Sequence, residues 1–112
     1  MPDRSVQLSR VFQALADPTR RAVLERLGRG PAAMSDLHRP FAMALPSFSQ
    51  HLDVLESCGL VRSRKAGRVR TYRLVPKRLD RVEVWLDRQR SIWDGRLDRL
   101  DSYLTTLQEP AP

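Results

Sequence analysis

At 112 residues, with 41% hydrophobic residues and a net charge of +7, the chain is long enough for one domain only. It has no apolar run that could span a membrane, and its first ten residues lack the apolar core of a signal peptide, so a cytoplasmic location is expected. A single cysteine, Cys58, excludes an intramolecular disulfide and a metal site made only of cysteines within one chain.

The positive charge is concentrated in one segment. Residues 57–79 contain eight basic residues and no acidic one, whereas the rest of the chain has 12 basic and 13 acidic residues. A solvated surface normally mixes both signs, so this basic segment predicts a polyanionic partner. An anionic membrane surface is a weaker interpretation, because the segment has no apolar helical face. The eight residues are Arg62, Arg64, Lys65, Arg68, Arg70, Arg73, Lys77 and Arg78.

The first 30 residues predict two helices. Apolar residues recur at three- and four-residue spacing through the first helix, which is expected over about residues 5–16. Asp17 followed by Pro18 then predicts a new N-terminus, because aspartate caps a helix and proline suits its first turn. The second helix should end at Gly28 or Gly30, because glycine favours the end of a helix.

A short helix and a longer one should follow an extended link over residues 31–34. Ser35 is expected to cap the short helix, which Pro40 ends because proline cannot continue it. The longer helix is predicted over about residues 45–58, with Gly59 in the left-handed conformation that ends helices.

A β-hairpin and a long helix complete the predicted fold. Two strands are expected over about residues 60–75, and Gly67 supplies the turn between them. The last helix should cover about residues 79–107, and residues 109–112 should form a loose tail. The sequence therefore predicts one mainly α (α+β) domain over residues 1–108. Its architecture is a winged helix-turn-helix of five helices with a two-stranded hairpin as the wing.

Several segments resemble the ArsR/SmtB family of bacterial winged-helix repressors. Residues 16–21 resemble the start of that family's second helix, and residues 49–55 with 59–61 resemble its recognition helix and the exit from it. Residues 67–68 and 72–74 resemble its wing, and the tryptophan-bearing last helix is most similar to the SdpR-like branch. The resemblance implies a homodimeric regulator that binds double-stranded DNA and represses transcription.

One departure from the family excludes its metal chemistry. Metal-sensing members carry two cysteines where this chain has Ala33 and Ser35, and the last helix contains no histidine, so no metal or cofactor is expected. An enzyme is not expected either, because no nucleophile–base set is present and His38 and His51 match no metal-ligand motif. Cys58 is expected to be a small packing residue, with a redox switch as the less favoured interpretation.

The predicted DNA interface combines the recognition helix with the wing. Phe48 and Leu52 must face the core, which leaves short polar side chains free to reach phosphates and base edges. The basic residues of the wing suit phosphate contacts or insertion into the minor groove. Arg20 pairs either with Asp17 or with a phosphate, and His51 either packs within the protein or contacts DNA. The candidate DNA-binding residues are Ser47, Ser49, Gln50, His51, Arg64, Lys65, Arg68, Arg70 and Arg20.

The last helix carries more apolar surface than a domain of this size can cover. A helix of this length extends about 43 Å, so part of its apolar face needs a partner. A two-fold homodimer formed by the first and last helices would cover it and would present two recognition helices, about 34 Å apart, to a palindromic operator. The candidate interface residues are Leu8, Val11, Phe12, Leu86, Trp93, Leu97, Leu100 and Leu104.

Two other functions remain open at the level of sequence. A winged-helix protein-interaction module could use the same basic wing to dock an acidic protein. A ligand-responsive sensor could bind a small molecule near Trp85 and Trp93 at the dimer interface. Substitution of Ser47, Ser49 and Gln50 would separate the first alternative from DNA recognition, and quenching of tryptophan fluorescence by candidate metabolites would reveal the second.

Overall fold

The computed structural model describes residues 4–108 and has the expected order of α-helices and the expected hairpin, to which it adds a two-residue strand and a 3₁₀ helix. This range contains five α-helices and one antiparallel sheet, so the prediction of a mainly α winged helix-turn-helix is confirmed. The expected loose tail lies outside the described residues. The elements are α1 (Arg4–Leu15), α2 (Pro18–Leu27), β1 (Ala32–Ala33), α3 (Met34–His38), α4 (Leu45–Ser57), β2 (Val61–Ala66), β3 (Val69–Leu74), a one-turn 3₁₀ helix (Pro76–Leu79) and α5 (Asp80–Gln108).

The start of α2 follows the local capping chemistry of the sequence. Asp17 is the N-cap in an extended conformation, and its Oδ2 accepts a hydrogen bond of 3.0 Å from the main-chain N–H of Arg20. This hydrogen bond is the main reason why the pKa of the Asp17 carboxyl lies below its ordinary value. Pro18 occupies the first turn, and the helix ends at Leu27 with Gly28 as its C-cap, so both predicted ends are confirmed.

The start of α3 differs from the prediction. The prediction that Ser35 caps this helix is wrong: the helix begins at Met34, two residues before the start that a cap at Ser35 implies, and Ala33 is its N-cap without a side-chain hydrogen bond. The reason is that Ala32 and Ala33 form a strand, β1, that pairs with Tyr72 and Thr71 of β3. The predicted extended link is therefore a third strand, and the sheet has the order β1-β3-β2 where the hairpin alone was expected.

The end of α4 forms a Schellman motif, as Gly59 predicted. The N–H of Leu60 donates to the carbonyl of Leu55 at 3.1 Å, and the N–H of Gly59 donates to the carbonyl of Glu56 at 3.0 Å. Gly59 has a φ of +84°, and a Cβ atom there would lie 2.6 Å from Nε of Arg78. The left-handed backbone therefore favours glycine at this position, and the missing side chain leaves room for Arg78.

The wing consists of β2, β3 and the two-residue turn Gly67–Arg68. Gly67 has a φ of +64° whereas no non-glycine residue in the described range has a positive φ, a pattern typical of a type II′ turn. The strands are longer than predicted and the turn is correspondingly shorter, because Lys65 and Ala66 still pair with Arg70 and Val69.

The core lies between α1, α2, α3, α4 and the sheet. Phe48, Leu52 and Leu55 are fully buried, which confirms the inward face predicted for α4. Tyr72 of the wing is also buried, so the base of the hairpin contributes to the same core. The other buried residues up to the end of the wing are Val11, Ala14, Val23, Leu27, Ala32, Leu37, Leu60 and Val61.

The described residues divide into two compact units, one up to Asp80 and one from Arg81 onward. The second unit consists of α5, whose 29 residues include a long row of exposed apolar side chains. Within residues 4–108 no helix is both long enough and apolar enough to cross a membrane.

Candidate nucleic-acid interface

Aromatic contacts hold the recognition helix, α4, against α3. The ring centroids of His38 and Phe48 lie 5.2 Å apart, and those of Phe41 and Phe48 lie 5.4 Å apart. Nε2 of His38 also donates a 2.7 Å hydrogen bond to the carbonyl of Met43 and so closes the turn between the two helices. The role of His38 was not predicted, because its partner in the turn could not be inferred from its spacing.

The polar face of the recognition helix is available for contacts. Ser47 and Gln50 are exposed and Ser49 is half-buried, and within residues 4–108 their side chains make no hydrogen bond. Ala44, the N-cap, provides no side-chain acceptor, so the first main-chain N–H groups of α4 are also left for an external partner. Hydroxyl and amide side chains beside free N–H groups suit phosphate oxygens and base edges.

Arg20 connects three helices. Its Nε donates to the carbonyl of Ala14 at 2.9 Å and its Nη2 donates to the carbonyl of Gln13 at 2.9 Å, both at the end of α1. Its Nη1 lies 3.0 Å from Nδ1 of His51 in the recognition helix. A guanidinium can only donate, so Nδ1 is the acceptor in this contact and Nε2 remains for a hydrogen bond to another partner. The distance of 3.8 Å from Nδ1 to Oδ2 of Asp17 is too long for a competing hydrogen bond.

The same contacts explain why two arginines stand at the positive end of α2. Nη1 of Arg21 donates to the carbonyl of Leu15 at 2.8 Å, so both Arg20 and Arg21 bind the carbonyl end of α1. The sequence had offered Asp17 or a phosphate as the compensating negative group. The negative end of the preceding helix is a third source of compensation, and it was missed because it depends on the angle between α1 and α2.

The wing presents its basic side chains to solvent. Arg64, Lys65, Arg68 and Arg70 are all exposed, and no carboxylate of the described residues forms an ion pair with them. Lys65 pairs with Arg70 in the strand register, so these two share one face of the hairpin, while Arg64 lies on the opposite face and Arg68 at the tip. The hairpin therefore carries positive charge on both faces and at its end.

An acidic residue links the recognition helix to the wing. Oε1 of Glu56, in α4, accepts hydrogen bonds from the main-chain N–H of Ser63 at 3.1 Å and from its Oγ at 2.7 Å. The same hydroxyl accepts a hydrogen bond of 2.8 Å from Nη1 of Arg70. Glu56 thus fixes β2 and, through Ser63, the position of one wing arginine. A serine between two arginines, in a strand that directly follows the helix, was the only sequence signal for this contact.

Replacement of Glu56 by alanine is therefore expected to weaken duplex binding although it removes a negative charge. Loss of two hydrogen bonds to Ser63 should also lower the free energy of unfolding by about 1–2 kcal/mol. Asp53→Ala is the matched control, because it removes an equal charge from an exposed position of the same helix. Fluorescence anisotropy with a labelled duplex and urea unfolding measure both effects. Equal behaviour of the two variants would contradict the bracing role of Glu56.

The predicted dimer residues fall into two groups. Leu86, Trp93, Leu97, Leu100 and Leu104 of α5 are between 44% and 57% exposed in the single chain. In α1, Leu8 and Phe12 are half-buried, whereas Val11 is only 5% exposed. Val11 differs from the expectation in this respect, because the fold of one chain already covers it and leaves little surface for a second subunit.

Proteins of known role are similar in sequence to this chain. A helix-turn-helix domain family matches residues 15–64. The HTH-type transcriptional regulator Rv2034 of Mycobacterium tuberculosis is 48% identical over 79 residues, which cover 70% of this chain and 74% of that protein. The transcriptional repressor SdpR of Bacillus subtilis is 33% identical over 67 residues, which cover 60% of this chain and 74% of SdpR.

Solved structures show the same fold. The ArsR family transcriptional regulator RHA00566 has 52% sequence identity and a TM-score of 0.79, and the match covers 84% of this chain and 97% of that one. The homodimeric winged helix-turn-helix DNA-binding domain Mb0332 of Mycobacterium bovis has 28% identity and a TM-score of 0.61, with 88% of this chain and 93% of that one covered.

Proposed function

This chain belongs to the ArsR family of transcriptional regulators, and from that premise we propose that it binds a palindromic operator as a homodimer and represses transcription in the cytoplasm. Sequence-specific binding of double-stranded DNA is the activity of the family. Repression is supported by the likeness to SdpR, which is itself a repressor.

One observation carries the assignment of the interface. The polar face of α4 lies next to the basic residues of the wing, which form no ion pair with a carboxylate in the described part of the chain, and Glu56 and Ser63 join the two elements by hydrogen bonds. Ser47, Ser49 and Gln50 are proposed to contact base edges and nearby phosphates in the major groove. The basic wing residues are proposed to bind the flanking backbone, and they are Arg64, Lys65, Arg68 and Arg70.

Arg20 and His51 take a different part in the proposal. Their side chains bind each other, and Arg20 also binds two carbonyls of α1, so their hydrogen-bonding groups are largely used within the protein. We assign them first to positioning α4. Nε2 of His51 still carries a proton that a phosphate or base edge can accept, so its contact with DNA stays a prediction.

The exposed apolar row of α5 supports the homodimer. Five large apolar side chains, about half exposed in one chain, form more continuous apolar surface than a monomer normally leaves in water. The likeness to the homodimeric domain Mb0332 is a second support. A two-fold dimer would place two recognition helices on successive turns of one face of the duplex.

The test begins with the selection of genomic DNA fragments that the protein retains, followed by binding to the selected duplex and to a scrambled one. The triple variant Ser47→Ala, Ser49→Ala and Gln50→Ala is expected to lose about tenfold or more in affinity for the selected duplex. Its affinity for the scrambled duplex should change little, because the wing still binds phosphates. An unchanged ratio of the two affinities would contradict the assignment of α4 and favour a protein-docking module.

The salt dependence of the affinity for DNA tests the wing contacts independently of the DNA sequence. If each subunit neutralises about three phosphates, the logarithm of the affinity should fall with the logarithm of salt concentration at a slope near −5. Arg68→Ala should reduce the steepness by about two in a dimer, one phosphate for each subunit. A flat salt response would exclude the proposed phosphate contacts.

A further inference from the structure

A polar cavity of about 470 Å³ lies on the first unit, apart from the polar face of α4. Its wall is formed by the C-terminal end of α4, the start of β2, one side of α1 and the 3₁₀ helix after the wing. None of the residues proposed to contact DNA lines it. The DNA-binding assignment therefore leaves this cavity unexplained.

Three arginines from three different elements line the cavity. They are Arg10 of α1, Arg62 of β2 and Arg78 of the 3₁₀ helix. Among the described residues none of the three forms an ion pair with a carboxylate. Like charges on one concave wall repel each other unless an anion lies between them. The arrangement is typical of a site that binds an anion.

The side chain of Arg78 lies against Gly59. Its Nε would lie 2.6 Å from a Cβ at position 59, so the arginine occupies the space that the glycine leaves open. The glycine is thus part of the cavity wall. The planar guanidinium of Arg78 is suited to bind two oxygens of one phosphoryl group.

The remaining groups of the wall leave the positive charge unneutralised. The thiol of Cys58 donates to the carbonyl of Leu55 at 3.3 Å, and burial raises the pKa of this thiol, so it does not provide a thiolate. The carboxylate of Glu56 already accepts two hydrogen bonds from Ser63. One carboxylate against three guanidinium groups leaves the wall with a net positive charge.

We propose that this cavity binds a diphosphate group, held by Arg10, Arg62 and Arg78. Each guanidinium can bind two phosphoryl oxygens, so three of them suit a ligand with two phosphoryl groups. The cavity volume accommodates a small phosphorylated molecule. Such a ligand would join α1 to the base of the wing, and so would connect the proposed dimer helix with the DNA interface. The two phosphoryl groups belong either to a free diphosphate or to two successive phosphates of the DNA backbone that extends past the wing.

The experiment titrates the full chain with pyrophosphate by calorimetry at constant ionic strength and without DNA. Saturable binding is expected, and both Arg78→Ala and Arg10→Ala should weaken it by about tenfold or more. Arg88→Ala, with the same change of charge on an exposed position of α5, should bind as the unchanged protein does. Thermal unfolding of each variant verifies that the fold is retained. If Arg78→Ala does not fold, Arg10→Ala alone tests the proposal.

The outcomes separate the proposal from the proposed function, since pyrophosphate binding is measured without DNA. Absence of saturable binding, or an equal loss in Arg88→Ala, would overturn it. A second titration with the selected duplex identifies the source of the phosphoryl group. Unchanged duplex affinity of Arg78→Ala would assign the cavity to a free ligand, and a parallel loss of duplex affinity would assign it to the DNA backbone.

Discussion

Replacing Leu97 and Leu100 with aspartate is expected to dissociate the protein into monomers and to weaken binding to a palindromic duplex by about a hundredfold or more. Both side chains are more than half exposed in the single chain and lie three residues apart on the apolar row of α5. Four carboxylates in a two-fold interface would have to be buried or would keep the subunits apart. A monomer loses the second half-site and with it the effective concentration that a linked recognition helix provides.

Sedimentation or light scattering at micromolar concentration measures the first effect, and anisotropy with full and half operators measures the second. Ser91→Asp with Ser102→Asp is the matched control, because both serines are exposed on the opposite side of α5. The control variant should remain dimeric and keep its affinity for the full operator. A monomeric unchanged protein, or a dimeric Leu97→Asp/Leu100→Asp variant, would show that this row of residues does not form the interface.

Replacing Arg20 with alanine is expected to lower the free energy of unfolding by about 2–3 kcal/mol. Three side-chain hydrogen bonds are lost together, two to carbonyls at the end of α1 and one to His51. Each bond from a charged donor contributes about 1.5–3 kcal/mol when buried, but this site is only half-buried and the three are not additive. Arg20→Lys should recover only part of the loss, because one ammonium cannot follow the planar geometry of the guanidinium.

The comparison of stability with affinity separates the two roles that the sequence left open for Arg20. A positioning residue affects unfolding and duplex binding together, and His51→Ala should reproduce part of both effects. A residue that only binds a phosphate would reduce affinity and the salt slope while stability stays unchanged. Arg21→Ala, which removes one exposed hydrogen bond to the same end of α1, is expected to change stability by less than about 1 kcal/mol.

The parts of the fold that could be predicted from sequence are those with local causes. Asp17 with Pro18 sets the start of α2, and Gly59 ends α4, because these residues act on neighbours within one turn. Periodicity likewise identified the buried face of α4 and the alternation in the wing. The start of α3 could not be predicted, since β1 exists only through its pairing with Tyr72, 40 positions later.

In the predicted interface, too, the features with local causes could be predicted and those that depend on tertiary packing could not. Residue type and spacing indicated which side chains of α4 and the wing face outward, and the structure places most of them there. The Arg20–His51 contact and the Glu56–Ser63 contact were not predicted, because each joins elements whose mutual orientation is fixed by packing. Helical spacing also cannot distinguish apolar residues covered by the same chain from those left for a partner. Val11 is the example of this ambiguity.

The pairing of β1 with β3 constrains how this regulator can adapt to its target. Ala33 lies in the sheet and Met34 already begins α3, so no flexible linker separates the wing from the first helix of the helix-turn-helix. The distance between the proposed contact of α4 with the major groove and that of the wing with the DNA backbone is therefore set by the protein. Any mismatch in curvature must be absorbed by the DNA, and operators with easily deformed pyrimidine–purine steps beside the contacted bases should be favoured.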